Sequence, residues 1–156
     1  GLLRPLLGAM VADHEANPGP KVANLSIGAR REFFENSTAE QAVRDAIAAG
    51  IVVVVAAGNK GIDASEFVPA RVDQAITVGA TDAADARAIF PFPESSNTGV
   101  GLDLFAPGKE VPAAWGQTPT YSYPFSGTSA AAPYVAGIAA RYLQNFPNAI
   151  PWQVQT

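Results

Sequence analysis

Hydrophobic and polar positions along the chain switch repeatedly between helical and strand-like spacing, and this pattern predicts helices and strands in turn. Residues Leu2 to Glu15 have the spacing of a helix, which the Asn-Pro-Gly-Pro stretch from Asn17 to Pro20 ends. A strand is predicted over Val22 to Ile27. The chain therefore enters its first strand from a helix.

A second helix is predicted to begin at Ser37 or Thr38, either of which could cap it, and to run through Ala49. Glu40 lies in its first turn, where a carboxylate interacts favourably with the helix dipole. Gly50 follows the last helical residue and is expected to end the helix.

The strongest strand signal is the segment from Ile51 to Ala57, whose consecutive valines predict a strand buried on both faces. With the preceding strand and helix it is expected to form a right-handed crossover unit. Further strands are predicted over Ala75 to Ala80 and Leu102 to Ala106, and a long helix rich in small residues over Ser129 to Asn145. The predicted loops are residues 90–96 and 112–124. This alternation is typical of an α/β fold with a mostly parallel sheet covered by helices on both faces.

Length and composition fit a single domain over residues 1–156, since 48% apolar residues are enough for a substantial core. The net charge of −4 and the lack of a basic cluster argue against a nucleic acid partner. The longest strongly apolar run is far too short to span a membrane, so no membrane partner is expected. The chain has no cysteine, which excludes disulfide and thiol chemistry.

Ser129 lies in the segment from Ser126 to Pro133, between a Gly-Thr turn and an alanine-rich run that predicts the start of a helix. A hydroxyl at this point lies beside unpaired backbone N–H groups and the positive end of the helix dipole, which would stabilise an oxyanion. These residues make Ser129 a candidate nucleophile. From them alone, a helix cap formed by Thr128 or Ser129 is an equally open interpretation.

Five segments of the chain, in order, resemble motifs of the subtilisin-like serine proteases, and most of all the branch that contains proteinase K. They are ANLSIG (Ala23 to Gly28), VVVVAAGN (Val52 to Asn59), PARVDQAITVGATD (Pro69 to Asp82), LDLFAPG (Leu102 to Gly108) and SGTSAAAPYVAG (Ser126 to Gly137). The resemblance implies a secreted serine endopeptidase that hydrolyses polypeptide substrates through an acyl-enzyme on Ser129. Such an enzyme requires no cofactor for its chemistry.

The resemblance covers only the C-terminal part of the family's three-layer α/β catalytic domain, because the aspartate and histidine motifs that come earlier in the family are not found here. The single histidine, His14, lacks the glycines of the family's motif, and we interpret it as a solvated surface residue rather than the catalytic base. A serine without a base is a weak nucleophile. The chain alone is therefore expected to be inactive and to need the missing N-terminal half of the domain as its partner.

Asn59 ends the valine strand, where its side-chain amide could donate a hydrogen bond to a developing oxyanion. A Gly-Asn pair also favours turns wherever it occurs, so a purely structural turn is the alternative. The resemblance implies that Asn59 corresponds to the family's oxyanion-hole asparagine.

Residues at the ends of two strands, most of them small, are expected to contact the substrate, because the resemblance implies that these backbones line the groove and the pocket before the scissile bond. They are Ser26, Ile27, Gly28 and Ala29 at the end of the first strand, and Ala56, Ala57 and Gly58 at the end of the valine strand. The alternative is that small residues merely end two buried strands. Neither segment contains an acidic residue, so a preference for basic side chains has no support.

A structural calcium site is implied by the resemblance at Asp73, Ala75 and Asp103, through two backbone carbonyls and one carboxylate. Oxygen ligands of this kind suit calcium. An ordinary carboxylate at the edge of a loop is an equally open interpretation of Asp103.

Two residues depart from the family's nucleophile segment: Ala130 stands where methionine is frequent, and Tyr134 where histidine is frequent. The segment from Phe90 to Gly101 also differs from the family's usual F-S-N-x-G run, which leaves its loop geometry open. An α/β-hydrolase esterase is excluded, because the serine lacks the G-x-S-x-G elbow and no histidine follows it. The remaining alternative is a non-catalytic binding or structural protein built on a partial subtilisin-like fold.

Overall fold

The computed structural model describes residues 3–33, 38–91, 94–114 and 122–156 of the chain. The described helices are α1 (Leu3–Ala16), α2 (Thr38–Ala48), α3 (Thr128–Asn145) and α4 (Pro151–Gln155). The described strands are β1 (Val22–Leu25), β2 (Ala29–Arg30), β3 (Val52–Ala56), β4 (Phe67–Val68), β5 (Ile76–Thr81), β6 (Leu104–Pro107), β7 (Val111–Ala114) and β8 (Ser122–Phe125).

The centre of the fold is a four-stranded sheet in the order β1-β3-β5-β6, with every neighbouring pair parallel. Val22 of β1 lies opposite Val52 of β3, and Val54 of β3 lies opposite Ile76 of β5. This confirms the predicted α/β class with a parallel central sheet. Because the strands run the same way, their carboxyl ends lie along one edge of the sheet, where such folds place their functional sites.

The valine strand β3 is buried on both faces, as its composition predicts. Val52 and Val54 pack in one core with the small residues of α3, while Val53 and Val55 pack in a second core with residues of α1 and α2. Successive side chains of a strand point to opposite faces, which is why one strand serves both cores. The sheet is therefore the middle layer between helices.

Helix α3 lies against the sheet through its alanines and other small residues, which allow the two backbones to approach closely. Its buried side chains are Thr128, Ala130, Ala131, Ala132, Val135, Ala136, Ala139 and Leu143. Pro133 lies inside the helix, where its missing N–H leaves the carbonyl of Ser129 without its helical donor; the hydroxyl of Ser26 donates to that carbonyl instead, at 2.8 Å. On the opposite side, Tyr134, Ile138, Tyr142 and Phe146 are exposed and follow one another every four residues. This spacing places them in one apolar stripe along the helix.

Two short antiparallel pairs, β2 with β4 and β7 with β8, were not predicted from the sequence. The prediction of a loop over residues 112–124 is wrong at its two ends, where β7 and β8 pair and Pro112 lies opposite Pro124. Proline cannot donate a ladder hydrogen bond, but an isolated two-stranded ribbon leaves room for it at its open edges. Residues 115–121 lie outside the described part of the chain, as do Leu2, Ser37 and residues 92–93 of the other predicted loop.

His14 is only half exposed, and its Nδ1 is buried without a hydrogen-bond partner among the described residues. The interpretation of His14 as a solvated surface residue is therefore only partly correct, because the end of α1 packs beside the turn that precedes β3. Nε2 lies 3.6 Å from the position that a Cβ on Gly50 would take. His14 thus sits at the amino end of β3, the end of the sheet opposite to Ser129.

Glu40 does more than interact with the dipole of α2. Its carboxylate is largely buried and accepts two hydrogen bonds from the guanidinium of Arg71, from Nε at 2.8 Å and from Nη2 at 2.9 Å. This pair ties α2 to the segment that precedes β5. None of the helices in the described ranges has the length and apolar character needed to cross a membrane.

Candidate active site

Ser129 is the second residue of α3, and it lies half-buried at the carboxyl edge of the sheet. Its hydroxyl donates to the backbone carbonyl of Ser26 at 3.1 Å, while the Ser26 hydroxyl donates to the carbonyl of Ser129 at 2.8 Å. This reciprocal pair fastens the start of α3 to the segment that follows β1.

The alternative interpretation of Ser129 or Thr128 as a helix cap is wrong. The residue at the cap position is Gly127, with φ 143°, and no side chain caps the helix. The first-turn N–H of Ser129 has no acceptor among the described residues. It is therefore one of the unpaired donors that a helix N-terminus offers to an anion.

Thr128 is 1% exposed and joins the start of α3 to the loop that follows β3. Its Oγ1 accepts from the backbone N–H of Gly58 at 3.0 Å and donates to Oδ1 of Asn59 at 3.0 Å. Its own N–H donates to the same Oδ1 at 2.9 Å. This role was not predicted, because a threonine at the start of a helix has the local pattern of a simple cap.

The hydrogen bonds of Thr128 fix the orientation of the Asn59 amide. A backbone N–H can only donate, so the atom of Asn59 that it meets must be the carbonyl oxygen. Nδ2 is then the free end of the amide, and it has no acceptor among the described residues. The amide N–H₂ group is thus held in one orientation as a free hydrogen-bond donor.

Gly58 is required where β3 passes into the site. Its φ is +101°, and a Cβ there would lie 2.6 Å from Nδ2 of Asn97 and 2.7 Å from the ring of Phe67. Both the backbone conformation and the lack of space therefore select glycine.

Asn97 supports the loop behind Asn59, although sequence analysis left its segment open. It is fully buried; its Oδ1 accepts from Lys60 N at 2.9 Å, and its Nδ2 donates to the carbonyl of Ala57 at 2.8 Å. Residues 96–99 read Ser-Asn-Thr-Gly, so the S-N-x-G part of the family's pattern is present after all. The proline-rich residues before this segment made the S-N-x-G pattern difficult to recognise from the sequence.

Asp63 anchors the same loop from its other end. Its Oδ1 accepts from the N–H of Ser65 at 2.8 Å, and its Oδ2 accepts from Val100 N at 3.3 Å. The hydroxyl of Ser65, followed by its backbone N–H, holds the pKa of the Asp63 carboxyl below its usual value. The negative charge thus stabilises the loop that presents Asn59.

A cavity of about 350 Å³ opens directly beside Ser129 and Asn59. Five of the seven residues predicted to contact substrate line it, namely Ser26, Ile27, Gly28, Ala56 and Gly58. Ala29 and Ala57 do not. Ala29 pairs with Val68 in the ribbon of β2 and β4, and Ala57 is fully buried.

The remaining lining residues of this cavity were not identified from the sequence. Phe67 is buried, and its ring lies 3.5 Å from where a Cβ on Gly28 would be, so it forms the inner wall. Lys60 and Glu94 also line the cavity and form an ion pair with each other. A hollow with an aromatic wall and a small number of polar groups is suited to binding one side chain.

A second hollow, of about 400 Å³, lies on the other side of Ser129. Phe125, Ala130 and Tyr134 line it together with residues of β7. Ser129 therefore lines two concave surfaces.

The oxygens predicted to bind calcium do converge, but on a group of the protein itself. Nε2 of Gln155 donates to the carbonyl of Asp73 at 2.9 Å, to that of Ala75 at 3.3 Å and to Oδ1 of Asp103 at 3.1 Å. The donor set suits calcium, but the arrangement as it stands has no room for the ion, because the amide nitrogen lies among the three oxygens. Within the described ranges there is also no cluster of three or more His, Cys, Asp or Glu side chains suited to a metal.

Comparison with known proteins gives a consistent answer. A family model described as the subtilase family matches residues 6–156. The chain is 49% identical over 135 residues to an extracellular serine proteinase of Thermus sp. (strain Rt41A), covering 86% of this chain and 31% of that protein. It is 42% identical over 139 residues to alkaline serine exoprotease A of Vibrio alginolyticus, covering 88% of this chain and 24% of that protein.

A solved structure described as a cold adapted subtilisin-like serine proteinase superimposes on the chain with a TM-score of 0.79 and 41% identity. The match covers 94% of this chain and 50% of that one. The chain therefore spans about half the length of the solved structure and about a third or less of these two curated relatives.

Proposed function

Because the chain belongs to the subtilase family, we propose that the protein carrying it is a serine endopeptidase in which Ser129 is the nucleophile and Asn59 an oxyanion donor. The catalytic aspartate and histidine would come from a segment that precedes Gly1 in the domain. Polypeptides are the proposed substrates, and the names of the relatives, one of them extracellular, favour secretion.

The observation that carries this proposal is the convergence of three features on Ser129. The hydroxyl lies at the start of α3, the free Nδ2 of Asn59 is held in place through Thr128, and a side-chain cavity opens between them. These features come from separate segments of the chain. A serine that only capped the helix would not need the Asn59 amide or the cavity, and an asparagine that only formed a turn would not need Ser129.

In the proposed reaction, Oγ of Ser129 attacks the carbonyl carbon of the scissile bond while its proton passes to the histidine of the preceding segment. The hydrogen bond from Oγ to the Ser26 carbonyl would be exchanged for one to that histidine. The oxyanion would accept from Nδ2 of Asn59 and from the N–H of Ser129. The amine leaves with the proton, and water then hydrolyses the ester on Ser129.

The bound substrate would place the side chain before the scissile bond in the cavity lined by Ile27, Ala56 and Phe67. These walls favour an apolar side chain. Lys60 and Glu94 already neutralise each other, so neither offers a charge for a basic or acidic side chain.

Labelling with a fluorophosphonate tests the proposal, because this reagent reacts only with an activated serine. The complete protein should be labelled stoichiometrically and the Ser129→Ala variant not at all, whereas chain 1–156 alone should stay unlabelled. Ser126→Ala is the matched control, since this neighbouring serine accepts from Glu110 N and should label like the wild type. A complete protein that is folded, inert to the reagent and without peptidase activity would favour a non-catalytic binding role instead.

A further inference from the structure

The side chain of Gln155 makes an unusual set of contacts at the amino ends of β5 and β6. One nitrogen, Nε2, meets the carbonyl oxygens of Asp73 and Ala75 and the carboxylate of Asp103 at 2.9, 3.3 and 3.1 Å. These partners lie 82, 80 and 52 residues away along the chain. No local motif would bring them together.

The three oxygens form a preorganised cluster. Oδ2 of Asp103 accepts from the N–H of Thr77 at 2.7 Å, and this bond fixes the direction in which Oδ1 points. Ala75 is fully buried, so its carbonyl is held by the packed start of β5. The cluster therefore does not depend on Gln155 for its shape.

An amide is an incomplete partner for this cluster. Its nitrogen carries two hydrogens, so it cannot give each of three acceptors a full hydrogen bond. It is also formally neutral, while the cluster carries the negative charge of Asp103. Two carbonyls and a carboxylate around one point are the ligands of a hard divalent cation.

We propose that the amide of Gln155 takes the place of a divalent cation in this cluster and fastens α4 to the sheet without metal. The remainder of α4 has few other anchors, since Val154 is only partly buried against the core. A cation could enter only if Gln155 left. Attachment of α4 and metal binding at these oxygens are therefore mutually exclusive in the native sequence.

The test is to replace the amide by a cation ligand. Gln155→Glu keeps the length of the side chain but brings a second carboxylate beside Asp103, so the cluster should then require a cation. Gln153→Glu is the matched control, because it adds the same charge to the same helix and keeps the oxygen that accepts from Ile150 N. All variants are made in the complete protein with Ser129→Ala, so that no reading depends on peptidase activity.

Calcium stoichiometry is measured by calorimetric titration, and the melting temperature is measured in calcium and in EDTA. Gln155→Glu should bind one more calcium ion per molecule than the parent or Gln153→Glu, and calcium should raise its melting temperature by roughly 5 °C more. Gln155→Ala, which opens the cluster without adding charge, should also gain one ion. This variant keeps the test valid should the extra carboxylate prevent folding.

Asp103→Asn distinguishes the proposal from an ordinary calcium site. In the native sequence this change should leave the calcium stoichiometry as it is, whereas in Gln155→Glu it should abolish the additional ion. If Asp103→Asn costs the native sequence a calcium ion, the metal already displaces Gln155 and the proposal is wrong. Failure of both Gln155 variants to gain an ion would overturn it equally.

Discussion

Replacing Asn59 by aspartate separates the two roles that this residue has in the structure. Aspartate keeps the Oδ1 acceptor that holds the N–H and hydroxyl of Thr128 at 2.9 and 3.0 Å. The donor Nδ2 is replaced by a second carboxylate oxygen, which repels an oxyanion instead of binding it. The variant thus removes the proposed catalytic contact and leaves the structural one in place.

The magnitude follows from the free Nδ2. The proposed bond from Nδ2 strengthens as negative charge develops on the substrate oxygen, so its loss should lower kcat rather than raise KM. In a subtilisin the removal of such an amide costs about 10²–10³ in kcat, or about 2.7–4 kcal/mol. We expect at least this loss for Asn59→Asp in the complete protein, because repulsion is added to the lost bond.

The comparison with Asn59→Ala completes the experiment. Alanine also leaves the N–H of buried Thr128 without an acceptor, which costs roughly 1–3 kcal/mol of folding free energy. Both variants should therefore lose activity, but only Asn59→Ala should melt clearly lower. The assay is kcat and KM for a peptide substrate, with enzyme counted by active-site titration and melting followed on the inhibited protein. An Asn59→Asp enzyme with kcat within about threefold of wild type would refute the catalytic role.

Three further predictions concern the residues around Asn59. Thr128→Val leaves the N–H of Gly58 without an acceptor in a buried site, so it should lower the melting temperature. Because it also loosens Asn59, it should reduce kcat by about tenfold with KM nearly unchanged, and a kcat equal to that of the wild type would contradict the positioning role. Gly58→Ala should fold poorly or lose affinity for large side chains before the scissile bond, which a set of substrates differing at that position measures; a wild-type profile would show that the cavity is not used. The pKa of the Asp63 carboxyl is lower in the folded than in the unfolded state, so ionised Asp63 stabilises the fold above the unfolded pKa, and this stabilisation is lost as the pH falls through the folded pKa. In denaturant titrations, the difference in unfolding free energy between wild type and Asp63→Asn should shrink between about pH 6 and pH 3. A difference that stays constant would contradict this.

The main sheet and its helices were predictable because their signals are local. The consecutive valines of β3 and the small residues of α3 each indicate burial within a few neighbouring positions of the sequence. The ribbon of β7 and β8 was missed because Pro112 and Pro124 disfavour strands, and only the pairing across the ribbon makes them acceptable.

The two principal residues of the candidate site were identified from the sequence, but the residues that hold them in place were not. Ser129 and Asn59 stand in recognisable motifs, whereas Thr128 and Asn97 act through hydrogen bonds to residues distant in sequence. The contact of Gln155 with Asp73 lies beyond any local reasoning, since its partner is 82 residues away. Propensity and periodicity describe neighbours along the chain, and these roles arise only when the chain folds.

The reciprocal bonds between Ser26 and Ser129 also join two segments that are far apart along the chain. They close a loop of 103 residues, and the entropy of bringing such distant ends together costs about 4 kcal/mol. That cost is offset by the contacts that the sheet and helices between these two residues make in the folded chain. A single cut between these two residues would turn their contact into one between separate pieces. The position of Ser129 thus depends on the integrity of the segment between the two residues.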